Sequence, residues 1–388
     1  MNIAVLFDTY LSDRKGLFAA IVNRTKNLMK FSDCSIHMYC LQARPGGLNR
    51  LLRKHKAQSF INTLHTEGLT FHIMWYRRYF IDDVLTKRFN RPPLLFRNWV
   101  KKHLYVFSTY DLITAHSAKC GEMARLVKNK YEIPYFVTWH GTDTHTVPFR
   151  SSSLMNYITI IMQSASCNFF VSKALSEIAY SFASGFKAEI LYNGVSDNFV
   201  RYDTNKRNKL REKYGIGTNK VIAFAGNLVP VKNVILLPEI FSKVKSKVSN
   251  QLLFWIIGDG FQKIVVEEEM REREVDCVFW GNRPLAEMPD LMNCVDVLVL
   301  PSKNESFGLV LVEALACGAN AVGSKVGGIP EVIGEENTFG LDDDFVDNIS
   351  DRIVYILKND VKQDIKKEFS WKETARKEYN IYKTFIYK

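Results

Sequence analysis

The sequence predicts an α/β protein built from two doubly wound domains, each a parallel sheet with helices on both faces. Three observations predict it. Apolar runs of strand length alternate with helical stretches in two successive series, a pattern that packs helices onto parallel strands. The 388 residues are enough for two domains of ordinary size. An apolar fraction of 47% with 24% charged residues is that of a globular chain rather than a disordered one.

The elements follow in order. In the first series, strands are expected at 2–8, 35–42, 70–76, 111–116, 135–140 and 168–172. Helices at 17–31 and 118–130 fall between them, and Asn23, Lys26 and Lys30 mark the polar face of the first. In the second series, strands at 220–225, 252–258, 277–281, 295–300 and 320–323 alternate with helices at 234–247, 262–272, 307–317 and 344–358. The polar residues 203–217 separate the series. The last segment, 371–385, reads as an aromatic amphipathic helix.

Composition narrows the functional classes. Met1 leads straight into a strand, without the basic start, apolar stretch and cleavage site of a signal peptide. No apolar run is long enough for a bilayer span. Seven cysteines stand singly with no C-x-x-C pair, which argues for a reducing cytosol and against a zinc site. Cys167, Cys277, Cys294 and Cys317 read as small buried hydrophobes. Charge is uneven: residues 1–197 hold 25 Lys and Arg against 13 Asp and Glu, and residues 44–102 hold 13 against 3. Bulky apolar residues interleave with these bases, as in Trp75-Tyr76-Arg77-Arg78-Tyr79-Phe80. Nucleic acid and an anionic membrane surface both fit such a stretch, and so does a plain solvated basic face.

The segment Asn304-Glu305-Ser306-Phe307-Gly308-Leu309-Val310-Leu311-Val312-Glu313 carries the chemistry. It follows an apolar strand and a Pro301-Ser302 break, and it opens a helix. The N–H groups of a helix N-terminus, with a Gly for close approach, suit a phosphate. Glu305 and Glu313 would repel phosphate but accept hydrogen bonds from hydroxyls. Phosphate between polyols describes a nucleotide sugar. The place is also right, because open α/β sheets bind ligands beyond the carboxyl ends of their strands.

This segment resembles the E-x7-E motif of the family-4 retaining glycosyltransferases. Five other stretches occur in that family's order: Trp139-His140-Gly141-Thr142-Asp143, Tyr192-Asn193-Gly194-Val195, Phe224-Ala225-Gly226-Asn227 through Lys232-Asn233, Ile257-Gly258-Asp259-Gly260, and Val326-Gly327-Gly328-Ile329-Pro330-Glu331. The resemblance covers nearly the whole chain, closely in the second half and in outline in the first. It implies the GT-B fold, with two Rossmann-like domains facing a cleft. The N-terminal, acceptor-side domain would comprise 1–198 plus a crossover helix, 371–388, and the donor domain 199–370.

The resemblance also implies roles. His140 contacts the donor sugar, Lys232 offsets the charge developing on the leaving diphosphate, and Glu305 takes the hexose; these three form the expected catalytic group. Glu313 takes the ribose hydroxyls. Gly16, Asn227, Gly281, Arg283, Ser306, Phe307, Gly308 and Leu309 complete the donor site, with Gly281 at the base edge and Arg283 stacked on the base. Asn227 stands where the family has an Arg, so a neutral amide replaces a cationic fork; Lys303 and Lys325 are candidates for a second base. The first loop keeps only Gly16 of the family's two glycines, and Arg14 and Lys15 meet an acidic acceptor or are plain loop charges. Asp143 holds the His140 loop or caps the next helix, with the cap favoured. Gly327-Gly328 makes a tight turn or is plain loop. Asp344 reads as an N-cap rather than a metal ligand. No cofactor or metal is expected.

The expected activity is retaining transfer of a hexose or N-acetylhexosamine from a nucleotide sugar, UDP before GDP. The expected acceptor is a lipid-linked or anionic saccharide of surface polysaccharide synthesis. Attack on the same face, assisted by the leaving phosphate, is expected instead of a covalent glycosyl-enzyme. The expected partner of 44–102 is an anionic membrane, not nucleic acid, on the inner face of the plasma membrane. A nucleotide-sugar 2-epimerase and an inactive nucleotide-sugar-binding protein are the alternatives. A nicotinamide dehydrogenase fits poorly, since no G-x-G-x-x-G follows the first strand.

Overall fold

The computed structural model describes residues 1–9, 16–31, 33–45, 63–66, 68–248 and 251–386. The chain divides into two compact units, Met1–Tyr192 with Trp371–Lys388, and Asn193–Ser370. The division falls before the expected boundary at 198 because the 193–198 segment bonds to the second unit. Val195 N–H donates to Phe369 O at 3.0 Å, and Val195 bridges to Ser370.

The first unit is an eight-stranded sheet. Its order is β3 (Thr63–Thr66), β4 (Leu69–Arg78), β2 (Ser35–Pro45), β1 (Asn2–Phe7), β5 (Leu112–Ala115), β6 (Tyr135–Trp139), β7 (Cys167–Phe170) and β8 (Ala188–Ile190). All pairings are parallel except β3 with β4. β1 is buried from Ile3 to Phe7. A strand flanked on both sides and covered on both faces has no solvent side, so its sequence is continuously apolar instead of alternating. Phe7 packs on Phe18 and Phe71, with centroids 6.3 and 5.9 Å away.

The C-terminal helix Trp371–Ile386 lies against the first helix, Leu17–Leu28. Arg24 and Glu378 pair there at 2.5 Å with almost no solvent exposure, and Tyr382 donates to the other Glu378 oxygen. Burial opposes the Arg24 charge, and Glu378 more than offsets it, so the Arg24 pKa is raised. Removing one partner of such a buried pair costs on the order of 3–5 kcal/mol, because the other charge is left stranded. Phe31 stacks on Tyr379 at 4.4 Å beside this pair.

The second unit is a six-stranded parallel sheet. Its order is β11 (Cys277–Gly281), β10 (Leu252–Ile257), β9 (Lys220–Ala225), β12 (Val297–Leu300), β13 (Asn320–Ser324) and β14 (Thr338–Phe339). The polar stretch expected to separate the series contains a helix, Thr204–Lys213, capped by the Asp203 side chain on Lys206 N–H at 2.9 Å. Arg207 and Arg211 of that helix reach Asp296 at 3.0 and 3.4 Å, so its charges serve packing and not solvation alone. All seven cysteines are free. Cys167, Cys294 and Cys317 are buried as expected, whereas Cys277, at the start of edge strand β11, is only half-buried.

Candidate active site

The carboxyl edge of the second sheet is closed by backbone lying on backbone. Gly226 N–H donates to Ile257 O and Leu228 N–H to Asp259 O, both at 2.9 Å. A Cβ at Gly258 would sit 2.0 Å from Gly226 O, and one at Gly260 would sit 2.3 Å from Leu228 O. Only glycine permits that approach. On the other side, Lys303 N–H donates to Val231 O at 2.8 Å and draws the loop after β12 onto the turn Pro230–Lys232. Gly328 N–H donates to Glu305 O at 3.0 Å. Gly327, at φ +50°, lies so close that a Cβ would fall 1.7 Å from that same oxygen.

These loops bring Lys232 and Glu305 together as a half-buried ion pair, Nζ to Oε2. The helix after Glu305 spans Leu309–Ala316, with Gly308 as its N-cap at φ 91°. It starts two residues later than expected because Gly308 takes the left-handed conformation, which a helix interior excludes. Ser306 and Phe307 therefore belong to the loop, and Phe307 is an anchor, 2% exposed with its ring 5.4 Å from Phe369. Leu311 N–H turns back to Gly308 O at 2.9 Å, which leaves the Leu309 and Val310 N–H groups at the helix start without an intrahelical acceptor. Glu313 is half-buried in the same helix, and burial pushes its carboxyl up to about 8.

Other expected donor residues are placed as follows. Asn227 is exposed, next to the Gly226 junction. Lys325 pairs with Glu335 at 2.9 Å, whereas Lys303 is exposed and bonded through its backbone beside Lys232. Of the two candidate second bases, Lys303 stands at the site. Gly281, at φ 62°, ends β11, and its carbonyl accepts Gly258 N–H at 2.9 Å. The Arg283 guanidinium lies over Trp280 at 5.1 Å and pairs with Glu287 at 3.4 Å. Asp344 occupies the N-cap position of Phe345–Lys358 but makes no side-chain cap bond, which corrects the expected capping role.

His140 and Gly16 belong to the first unit. Gly16, at φ 54°, precedes the first helix; its loop partners Arg14 and Lys15 lie outside the described residues. His140 follows β6, and its Nε2 is 3.0 Å from Nδ1 of His116, which follows the adjacent strand β5. Burial lowers the His140 pKa to about 3, with the Arg24 charge adding to it. Burial, then His140, then Arg24 lower that of His116. With both rings neutral, one must donate and the other accept, and His140 is left with Nδ1 for a ligand. Sequence reasoning missed His116, although a His at the tip of each of two neighbouring strands was a usable signal. Asp143 corrects another expectation: its Oδ2 accepts Ala118 N–H at 2.7 Å, so it serves the start of the preceding helix Ala118–Tyr131, not the next one.

Residues 206–378 match the family described as Glycosyl transferases group 1. Those residues are a group 1 glycosyl transferase domain. The chain is 28% identical over 313 residues to the N-acetyl-alpha-D-glucosaminyl L-malate synthase of Bacillus anthracis, covering 73% of this chain and 80% of that protein. It is 28% identical over 227 residues to a putative teichuronic acid biosynthesis glycosyltransferase of Bacillus subtilis, covering 58% and 56%. The chain is an enzyme of the glycosyltransferase class. Its fold is GT-B, two parallel-sheet α/β units, as in the Anabaena Alr3699/HepE structure in complex with UDP. That likeness has a TM-score of 0.69 at 19% identity and covers 99% of this chain and 98% of that one.

Two outcomes follow from the site. Lys232→Ala strands the Glu305 carboxylate beside an anion site, so nucleoside diphosphate affinity is expected to fall about tenfold. Adding Glu305→Gln is expected to restore affinity but to leave turnover down by roughly 10²–10³, as the role that the family resemblance implies for Lys232 predicts. Titration calorimetry and steady-state rates read the two; rescue of both, or of neither, contradicts the pairing. For Glu313, the native carboxyl titrates near 8 against an ordinary value of 4.5. Between these values the native state holds more protons than the unfolded state, so stability falls as pH rises through the window. Glu313→Gln is therefore expected to gain melting temperature over the wild type progressively from pH 5 to pH 8, and a pH-independent difference refutes it.

Proposed function

We propose that this chain is a retaining glycosyltransferase of the family-4 type. It moves a hexose or N-acetylhexosamine from a nucleotide sugar, UDP before GDP, to an anionic or lipid-linked saccharide acceptor of surface polysaccharide synthesis. The observation that carries this reading is the Lys232–Glu305 pair, held at the start of the helix Leu309–Ala316 with Glu313 further along it. A diphosphate meets Lys232 and the helix N-terminus, the ribose meets Glu313, and the hexose meets Glu305. The acceptor oxygen bonds to the anomeric carbon on the face the diphosphate leaves. The C–O bond to phosphate breaks, and the hydroxyl proton goes to the departing phosphate. Lys232 and the helix N–H groups meet the diphosphate charge, so the reading needs no divalent cation. The UDP in the HepE structure and the N-acetylglucosaminyl group in the Bacillus anthracis enzyme's name support this donor class.

Place in the cell follows from the basic stretch. Among the described residues, no helix is long and apolar enough to cross a membrane. Residues 46–62 lie outside the described residues, but the rest shows which apolar groups face outward. Phe80, Ile81, Phe89 and Leu94 are 56–62% exposed. Phe96 is buried, Trp99 stacks on His103 at 4.4 Å, and Arg44 covers Trp75 at 4.7 Å. The first four, with Arg88, Arg91, Lys101 and Lys102 nearby, are the side chains offered to an anionic membrane on its cytoplasmic face.

Two experiments test these readings. Incubation with a panel of UDP- and GDP-sugars is expected to give slow release of UDP with an α-configured sugar product from an α-linked donor. Sugar isomerised at C2 would mark an epimerase, and binding without turnover an inactive protein. Separately, sedimentation with anionic liposomes is expected to fall steeply with salt and to keep a salt-resistant remainder. Phe80→Ser with Phe89→Ser and Leu94→Ser removes that remainder alone. A wild type that ignores anionic liposomes at low salt ends the membrane reading.

A further inference from the structure

The second unit has a cavity at the opposite end of its strands from the Lys232–Glu305 pair. It measures about 200 Å³ and is lined by the first residues of β9 and β13, Lys220 and Asn320, and by Asp296, just before β12. β9 is six residues long, so the two edges of the sheet stand roughly 17 Å apart. The volume is below the range for drug-sized ligands and gives room for a phosphate group with a small body attached. Ile356, Leu357 and Val361 form the apolar side.

Charge on the polar side does not balance. Arg201, Arg207, Lys220 and Lys362 line the cavity against two carboxylates, Asp296 and Asp360. Asp296 is already shared. Its Oδ1 takes Arg207 Nη2 at 3.0 Å and its Oδ2 takes Val221 N–H at 2.8 Å, with the buried Arg211 3.4 Å away. Lys220 Nζ stays 3.9 Å from Oδ1, beyond hydrogen-bond range. Asp360 is 84% exposed and 3.9 Å from Lys362, a pair that contributes almost nothing in water.

The two arginines keep donors in reserve. Arg207 Nε donates to Asn293 O at 2.8 Å, which fixes the fork, and its Nη1 makes no hydrogen bond among the described residues. Arg201 makes no ion pair and no side-chain hydrogen bond among them. Its stem is laid across Gly318, where a Cβ would sit 3.0 Å from the Arg201 Cδ and Nε. The helices Leu309–Ala316 and Phe345–Lys358 end at the cavity, and their carbonyl ends offset part of the charge. Neither accepts a hydrogen bond from Arg201, Lys220 or Lys362 among the described residues.

We propose that this cavity is a second anion site, and that it takes a phosphate group, either inorganic phosphate or the phosphate of a small phosphomonoester. Arg201 and Arg207 hold the oxygens, Lys220 and Lys362 add charge, and the apolar side meets the organic body where there is one. The bound anion ties the segment 201–207 and the end of the helix Phe345–Lys358 to the first residues of the sheet. The site lies away from Lys232 and Glu305 and stands independently of the proposed transfer.

The test titrates the full chain with inorganic phosphate, glycerol 3-phosphate and, at matched ionic strength, potassium chloride. Saturating UDP is present throughout, to keep phosphate from the neighbourhood of Lys232. Calorimetry reads affinity, and amide hydrogen exchange reads location. Phosphate is expected to bind saturably and to slow exchange at 201–208 and 357–362, and chloride to do neither. Arg201→Gln with Lys362→Gln, both exposed, is expected to weaken phosphate about tenfold, by removing charge-assisted contacts, and to leave UDP affinity unchanged. Glycerol 3-phosphate binding no more tightly than inorganic phosphate identifies the free ion, and binding more tightly identifies a phosphomonoester; each supports the proposal. No saturable binding beyond that of chloride overturns it. So does protection confined to 226–232 and 306–310, or a double variant that binds phosphate as the wild type does. The exchange map of the wild type decides the matter even where the double variant does not fold.

Discussion

The peptide of Glu305 is the fixed point of the second unit. Its carbonyl is held by Gly328 N–H, and Gly327 comes so close that no side chain fits between them. With that peptide fixed, the Glu305 carboxylate has little choice but Lys232, whose own turn is tied to the same loop through Val231 and Lys303. The left-handed Gly308 then sets where the helix begins, and so where its unpaired N–H groups lie. One steric constraint thus orders an ion pair, a helix terminus and Glu313 in a single short segment. Side-chain entropy is spent in folding, so the ligand meets groups already in place.

Charge is handled differently in the two units. The second unit keeps an ionised pair at its sheet edge, and Glu313 is pushed by burial toward its neutral form. The first unit buries one full ion pair, Arg24 with Glu378, and keeps two histidines neutral near that charge. A buried cation disfavours a second positive charge, so the His116–His140 pair is held in the state where one ring donates to the other. The last helix therefore does more than cover apolar surface: it supplies the carboxylate that lets Arg24 stay charged beneath the tip of the sheet.

The fold was legible because its strands are buried on both faces and its helices are amphipathic, which gives two distinct periods. The segment from Glu305 to Glu313 was legible because its residues are consecutive, one loop and one helix, whereas Lys232 comes to it from 73 residues earlier. Gly327 was visible as a glycine but not as a wall, since the carbonyl it abuts is 22 residues away in sequence. Residues 203–217 were read as a separator because their helix has no apolar stripe; its stability comes from the Asp203 cap and from Arg207 and Arg211 on Asp296. Phe96 and Phe80 looked alike among the bases, yet one is buried and the other 62% exposed, because the helix Leu94–His103 turns Phe96 toward Tyr76. Asp8 and Lys119 join a strand end to a helix start 111 residues on, which no local pattern announces, whereas His116 and His140 shared a readable one, a His after each of two neighbouring strands.

The account stands on a nucleoside diphosphate meeting the start of the helix Leu309–Ala316. Hydrogen exchange of the backbone amides, with and without UDP, tests that most directly. The account predicts slowed exchange at 306–310, with a smaller effect in the loop 226–232. Protection confined to residues 1–192, or no protection at 306–310 under saturating UDP, would contradict it.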